Sequence, residues 1–196
     1  MTESVHPVVV PYTPAWHTRG LELAADLHTA LAPHAAYVDH IGSTSIPGMA
    51  AKPLYDLQVS VPDLAQAAAA FEEPLAERGF VRSPYQEDHV PAWSDDDQSL
   101  WLKRLWTRRG HSGGLGEDIN LHVRPLDAPN ERLALLFRDW FRAHPEAIDA
   151  YARFKGVLAA ALDDTGTYAD IKDPVVDLII TVAEPWATQT DWKPHA

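Results

Sequence analysis

Cysteine is absent from this chain, which excludes disulfides, thiolate metal ligands and cysteine nucleophiles together. The absence fits a reducing compartment. No apolar run approaches the roughly 18 residues that a membrane span needs. The opening residues, MTESVHPVVV, contain no basic n-region and no apolar h-region, so a cytoplasmic protein is expected. Positive charge is scarce: 16 Lys and Arg stand against 28 Asp and Glu, a net charge of −12. That field repels phosphate backbones and anionic membranes, so neither broad nucleic-acid binding nor membrane binding is expected. A small nucleotide still has a route in, because it needs only a local basic patch. A P-loop is missing as well, since G-x-x-x-x-G-K-[ST] occurs nowhere in the chain. No kinase activity is therefore expected of these residues. Internal repeats and low-complexity tracts are also absent.

What remains is ordinary globular material: 196 residues, 46% of them hydrophobic, with seven Trp. That is enough for one domain with a sizeable core, with or without a helical appendage. Residues 7–12 read as extended, and Pro14 opens an amphipathic helix over about 15–32 with Leu21, Ala24, Ala25 and Leu31 on its apolar side. Strands are predicted at 36–41, 54–61, 99–108 and 118–125, with a shorter one beginning at Phe80-Val81. A helix over about 63–78 should stop at Gly79, and Pro74 threatens to split it. Residues 83–98 form a polar loop, and the Gly-rich stretch 110–116 reads as a hairpin connection without dinucleotide spacing. From residue 129 the pattern is helical. Leu133, Leu136, Phe137, Trp140 and Phe141 form one apolar stripe, Pro145 opens another helix, and Asp173-Pro174 reads as the start of a last one. Mixed strands and helices followed by helices alone predict an α/β or α+β sheet domain, 1–126, with a helical part, 127–196, packed on it as one unit.

The richest segment is His40 to Val61, HIGSTSIPGMAAKPLYDLQVSV. Gly42 permits a tight turn, and Ser43, Thr44 and Ser45 present three hydroxyls and nearby amides able to cradle a phosphate. The strand that follows puts Asp56 and Gln58 on one face. In Asp118-Ile119-Asn120-Leu121-His122-Val123-Arg124 the same alternation separates a polar face from a buried aliphatic one. Asp56, Gln58, Asn120 and His122 are thus expected to line one cleft, with the Gly42-Ser43 turn at its edge. A Gly-Ser turn followed by a strand bearing Asp-x-polar is how nucleotidyltransferases hold a triphosphate and its metal.

The chain resembles the GrpB-like family of nucleotidyltransferase-fold proteins, and most of all the domain fused behind dephospho-CoA kinase in actinobacteria. The matching pieces are VVVPYTPAW (8–16), DHIGSTSIPGMAAKPLYDLQVSVPDL (39–64), LWLKRLW (100–106), INLHVR (119–124), LLFRDWFRAHPEAIDAYARFK (135–155) and YADIK (168–172). The resemblance implies a nucleotidyltransferase-like mixed β-sheet with flanking helices and a helical C-terminal part closing over the nucleotide. It implies a nucleotide or CoA-type ligand held by Gly42, Ser43, Thr44, Lys52 and Lys103 or Arg104. It also implies catalysis by Asp56, Asp118 and His122, and a Mg²⁺ or Mn²⁺ ion on Asp56 and Gln58, with His40 and Asn120 elsewhere in the cleft.

One departure matters. Gln58 stands where an active transferase carries its second carboxylate, and Asn120 or His122 where it carries its third, whereas two-metal phosphoryl transfer needs several carboxylates. A Gln58→Asp change is then expected to strengthen divalent-metal binding. Three readings follow: a transferase with a reduced metal site, a non-catalytic nucleotide-binding or folding-assistance module, and a transition-metal site on His40, Asp56 and His122. Each residue also has a plain structural reading. Ser and Gly favour turns, Asp95-Asp96-Asp97 suits a solvated loop, and Trp101, Trp106, Trp140 and Trp186 suit a core.

Overall fold

The computed structural model describes residues 6–110 and 116–195, so the hairpin connection expected at 110–116 lies almost wholly outside them. Helix α1 (Pro14–Leu31) starts on Pro14, whose missing N–H costs nothing at a first turn, and buries Trp16, Leu23, Leu27 and Leu31. Strands β1 (Tyr37–Ile41) and β2 (Leu54–Val61) follow. Helix α2 (Leu64–Ala76) is capped by Asp63, whose carboxylate accepts the amides of Ala65 and Gln66 at 2.9 Å each. Pro74 does not split it, because it lies in the last turn, where only one ladder bond is lost.

Strand β3 is short (Val81–Arg82). β4 spans Arg104–Arg109 and not 99–108, because Gln98–Trp101 coil into a 3-10 turn capped by Asp97. β5 spans Asp118–Pro125. The helices α3 (Pro129–Ala143), α4 (Ile148–Ala161) and α5 (Thr165–Gln189) complete the chain. Asp173-Pro174 does not begin the last helix. Asp164 caps it nine residues earlier, accepting the Thr167 amide at 2.7 Å, and Pro174 rides inside.

The sheet order is β1-β2-β5-β4-β3. β2 and β5 run parallel at its centre, and the other pairs are antiparallel. Leu57, Val59, Val61, Ile119, Leu121 and Val123 are fully buried on one face against α1 and α2, each contributing about 1.5–3 kcal/mol of apolar burial. The opposite face is polar, and α3 lies on it. A second apolar cluster joins Leu136, Phe137 and Phe141 of α3 to Ile148, Tyr151, Ile180 and Ala183, with Ile46 and Met49 from the β1–β2 connection. Of the predicted α3 stripe, Leu133 and Trp140 are only partly buried. Among the described residues no helix is long and apolar enough to cross a membrane.

Candidate functional site

Parallel pairing sets Asp56 beside Asn120, Gln58 beside His122 and Ser60 beside Arg124, and register partners share a face. The predicted polar ladder exists, but only part of it is open. At its inner end Gln58 and Ser60 are fully buried beneath the first turn of α3. The Gln58 amide donates to the Glu131 carbonyl at 3.1 Å, and its oxygen accepts from Arg124 at 2.6 Å. Ser60 donates to the Glu131 carboxylate at 2.7 Å. Arg124 also donates to Asp88 at 2.8 Å, and Lys103 and Asn130 converge on the same carboxylate.

Three expectations fall here. Gln58 cannot serve a metal, because Arg124 already occupies its one oxygen. Lys103 neutralises the buried Asp88 and does not line the pocket. Arg104 pairs with Val123 in register, which puts it on the opposite face of the sheet from Asp56.

The open end is built around the β1–β2 turn. Gly42 has φ +69°, and a Cβ there would meet Asp56 Oδ2 at 2.4 Å. Only glycine lets the turn close over that carboxylate. Of the three hydroxyls expected to face a ligand, one does. Ser45 turns back to the Gly42 carbonyl at 2.7 Å. Thr44 donates to the Leu54 carbonyl at 3.1 Å and therefore accepts from His40 Nε2, 2.9 Å away. Ser43 faces the pocket and accepts from Lys155 Nζ at 2.8 Å. The amides of Ser43 and Thr44 open the 3-10 turn Ser43–Ser45 and so have no acceptor within it. From α3, Arg142 holds the Ser45 carbonyl at 2.9 Å, and Arg138 holds Asp39 at 3.0 Å.

His40 is not a cleft residue. It pairs with Leu57 in register, on the α1 side, and Gly20 has no side chain because that ring fills the space. Burial lowers its pKa to about 4, so it braces the turn as a neutral ring. His40 and Asp56 thus lie on opposite faces, which removes the His40, Asp56 and His122 metal reading.

The pocket, about 40 Å³, is lined by Ser43, Thr44, Ala51, Lys52, Leu54, Asp56, Lys155, Tyr168 and Lys172. Asn120 donates to Asp56 at 3.0 Å, and His122 Nε2 lies 3.7 Å from the same oxygen. Burial alone would raise the Asp56 pKa, but His122, Lys172 and Asn120 outweigh it and hold the carboxyl well below its usual range. Burial, and then Arg124, push the His122 pKa down, against the opposing pull of Asp56. Asp118 shares the face but stands in register with Leu54 and Arg109 at the start of β5, and it is not part of the lining. Asp56 is the one carboxylate in the pocket, and no group of three or more His, Asp or Glu among the described residues is placed to hold a metal. Asp56 is thus the single pocket carboxylate open to the expected Mg²⁺ or Mn²⁺, which would take its other oxygens from a bound phosphate and water.

Positive charge gathers at the same pocket. The chain has five lysines, Lys52, Lys103, Lys155, Lys172 and Lys193, and three of them meet here. Lys52 lies 4.8 Å over the Tyr168 ring, and Lys155 lies 5.0 Å over Tyr151. Lys155 is 2% exposed. Burial, and then Lys172, lower its pKa to about 7. Sequence reasoning placed Lys52 in the site but not Lys155, Lys172 or Tyr168. Their signal was present as Tyr151-x-x-x-Lys155 and Tyr168-x-x-x-Lys172, one helical turn each.

A five-stranded mixed sheet with helices on both faces and a helical C-terminal part is the mixed α/β architecture that the resemblance implied. The chain belongs to the GrpB family, matching the family described as GrpB protein over residues 6–181. It is 34% identical over 200 residues to a dephospho-CoA kinase of Mycolicibacterium paratuberculosis, covering 95% of this chain and 48% of that protein. The chain thus spans about half the length of the dephospho-CoA kinases it matches. It is 32% identical to the UPF0157 protein PA4798 of Pseudomonas aeruginosa, covering 88% of this chain and 65% of that protein. The crystal structure of GrpB from Enterococcus faecalis superposes with a TM-score of 0.66 at 26% identity, over 95% of this chain and 100% of that one.

Proposed function

We propose that the protein is a cytoplasmic binding module for the phosphate end of a nucleotide or CoA-type anion, with little or no metal-dependent turnover. One observation carries this reading: Lys52, Lys155 and Lys172 converge with Ser43 on a pocket whose only carboxylate is Asp56. Among the described residues none of the three lysines has an ion pair. In a chain of net charge −12, three lysines that share one carboxylate are compensated best by an anionic ligand. A volume of about 40 Å³ holds a few waters or one tetrahedral anion. The phosphate therefore enters and the rest of the molecule lies at the mouth. In-line transfer would need a cation on the leaving oxygens, and Asp56 is the one carboxylate there to hold it. The kinship with dephospho-CoA kinases favours CoA precursors as the first ligands to test.

Isothermal titration with inorganic phosphate, ATP and dephospho-CoA, with and without Mg²⁺, tests the proposal. Binding that changes less than about threefold on adding Mg²⁺, and about tenfold weaker in Lys172→Met, is expected for one lost charge-assisted contact of about 1.4 kcal/mol. Binding that requires Mg²⁺, together with steady nucleotide turnover, would overturn it in favour of the transferase reading.

A further inference from the structure

Asp56 is an unexpected wall for an anion pocket. Ser43, Lys52, Lys155 and Lys172 surround a space of about 40 Å³ with donors, and Asp56 faces the same space with an acceptor. Among the described residues no ion pair joins this carboxylate to any of the three lysines, so the cations and the carboxylate stand apart around the void. Neighbours hold Asp56 in that role. Asn120 donates to its Oδ1 at 3.0 Å, and the turn at Gly42 packs so closely over Oδ2 that a Cβ there would meet it at 2.4 Å. The side chain still remains partly exposed. A tetrahedral anion that fills so small a space touches both sides at once. Its oxygens on the lysine side accept N–H groups. The oxygen turned to Asp56 meets a second negative oxygen, a repulsive contact unless it carries a proton.

We propose that Asp56 is the specificity-determining residue of this pocket: it accepts a hydrogen bond from a hydroxyl of the bound phosphate, so the site takes phosphate that carries a hydroxyl, free or as a terminal monoester, and rejects sulfate and phosphodiesters. The inference rests on the anion-binding reading and narrows its ligand. Phosphate and sulfate are tetrahedral anions of nearly the same size, and lysines alone hardly tell them apart. A fixed acceptor does, because sulfate has no proton to give it. A phosphodiester likewise has charge but no hydroxyl. A terminal monoester, with a second pKa of about 6, keeps its hydroxyl in about half of its molecules at that pH.

The test is isothermal titration of the whole chain at pH 6, with EDTA present, against inorganic phosphate, sulfate, AMP and cyclic AMP. Phosphate should bind at least about tenfold more tightly than sulfate, the ratio that one charge-assisted hydrogen bond supplies. AMP binding well above cyclic AMP would identify a terminal monoester as the source, and phosphate binding without either would identify the free anion. Asp56→Asn should bring phosphate and sulfate within about threefold of each other, because an amide can donate as well as accept. The wild-type ratio decides the matter even if that variant fails to fold. Sulfate bound as tightly as phosphate, or cyclic AMP bound as tightly as AMP, overturns the inference and leaves the anion site standing. A preference that appears only when Mg²⁺ replaces EDTA overturns it in favour of a metal bridge. If none of the four binds, the anion-binding reading fails as well.

Discussion

At the scale of single residues, a polar side chain does what its nearest partner allows. Gln58 is the clearest case. Read as a weakened metal ligand, it is a buried link between Arg124 and the Glu131 carbonyl. Gln58→Asp would pair with Arg124 and leave that carbonyl without its donor, at a cost of about 1–3 kcal/mol. The expected outcome, opposite to the sequence-based one, is no gain in Mn²⁺ affinity in a nucleotide-bound titration. A tighter Mn²⁺ site would show that Arg124 releases this residue.

Lys155 gives a second residue-scale expectation. Its folded pKa, about 7, lies below the ordinary lysine value, so the unfolded chain binds the extra proton between those values and stability rises with pH across that window. Below pH 7 the burial of charge is fully felt. Lys155→Met keeps a similar volume and removes the charge, so it should stabilise the protein by about 1–4 kcal/mol at pH 6 and by less at pH 9, while weakening phosphate binding. Urea titrations at both pH values measure this, and an equal gap at the two would contradict it.

Between elements, the segment joining β3 to β4 is held by side chains as well as by backbone hydrogen bonds, among them Lys103 N–H to the Gln86 carbonyl at 2.8 Å and Asp88 N–H to the Trp101 carbonyl at 2.9 Å. Asp88 accepts from Lys103, Arg124 and Asn130, tying this loop to β5 and the start of α3. Next to it, His89 and the Ala92 amide reach Asp177 of α5 at 2.8 and 3.2 Å. Burial opposes ionisation of Asp88, but Arg124 and then Lys103 outweigh it and hold its carboxyl far below the usual range. Its stabilisation is therefore complete above the ordinary Asp pKa of about 4 and fades as pH falls below it. Asp88→Ala leaves two enclosed cations unpaired and should cost about 3–5 kcal/mol at pH 7. The variant should also lose much of the wild type's acid sensitivity between about pH 5 and 3. A loss under 1 kcal/mol by urea denaturation would mean that water replaces the carboxylate.

Across the whole molecule, charge is segregated. A net −12 surrounds one small cluster of lysines, so a compact anion should bind where a polyanion cannot. Fluorescence anisotropy with a labelled single-stranded RNA at about 150 mM salt should show no binding at protein concentrations where phosphate compounds do bind. Tight RNA binding would mean that the pocket mouth continues into a basic track.

Strand alternation, Pro and Gly punctuation and the spacing of α3 made the sheet strands and most helices legible in the sequence, because these are local periodicities that the backbone enforces, whereas the GrpB kinship was legible only through the resemblance of its motifs. Gly42 and Asp56 were legible for the same reason, since a turn and the strand after it lie close in the chain. The β4 start was not, because a cap at Asp97 outcompetes strand propensity over Gln98–Trp101. The face of His40, the capture of Gln58 by Arg124, the removal of Lys103 by Asp88 and the arrival of Lys155 and Lys172 opposite Ser43 were decided only by tertiary structure. Lys155 lies 112 positions from Ser43. A contact across such a span depends on which helix packs over which half of the sheet, and burial there sets the charge of each side chain.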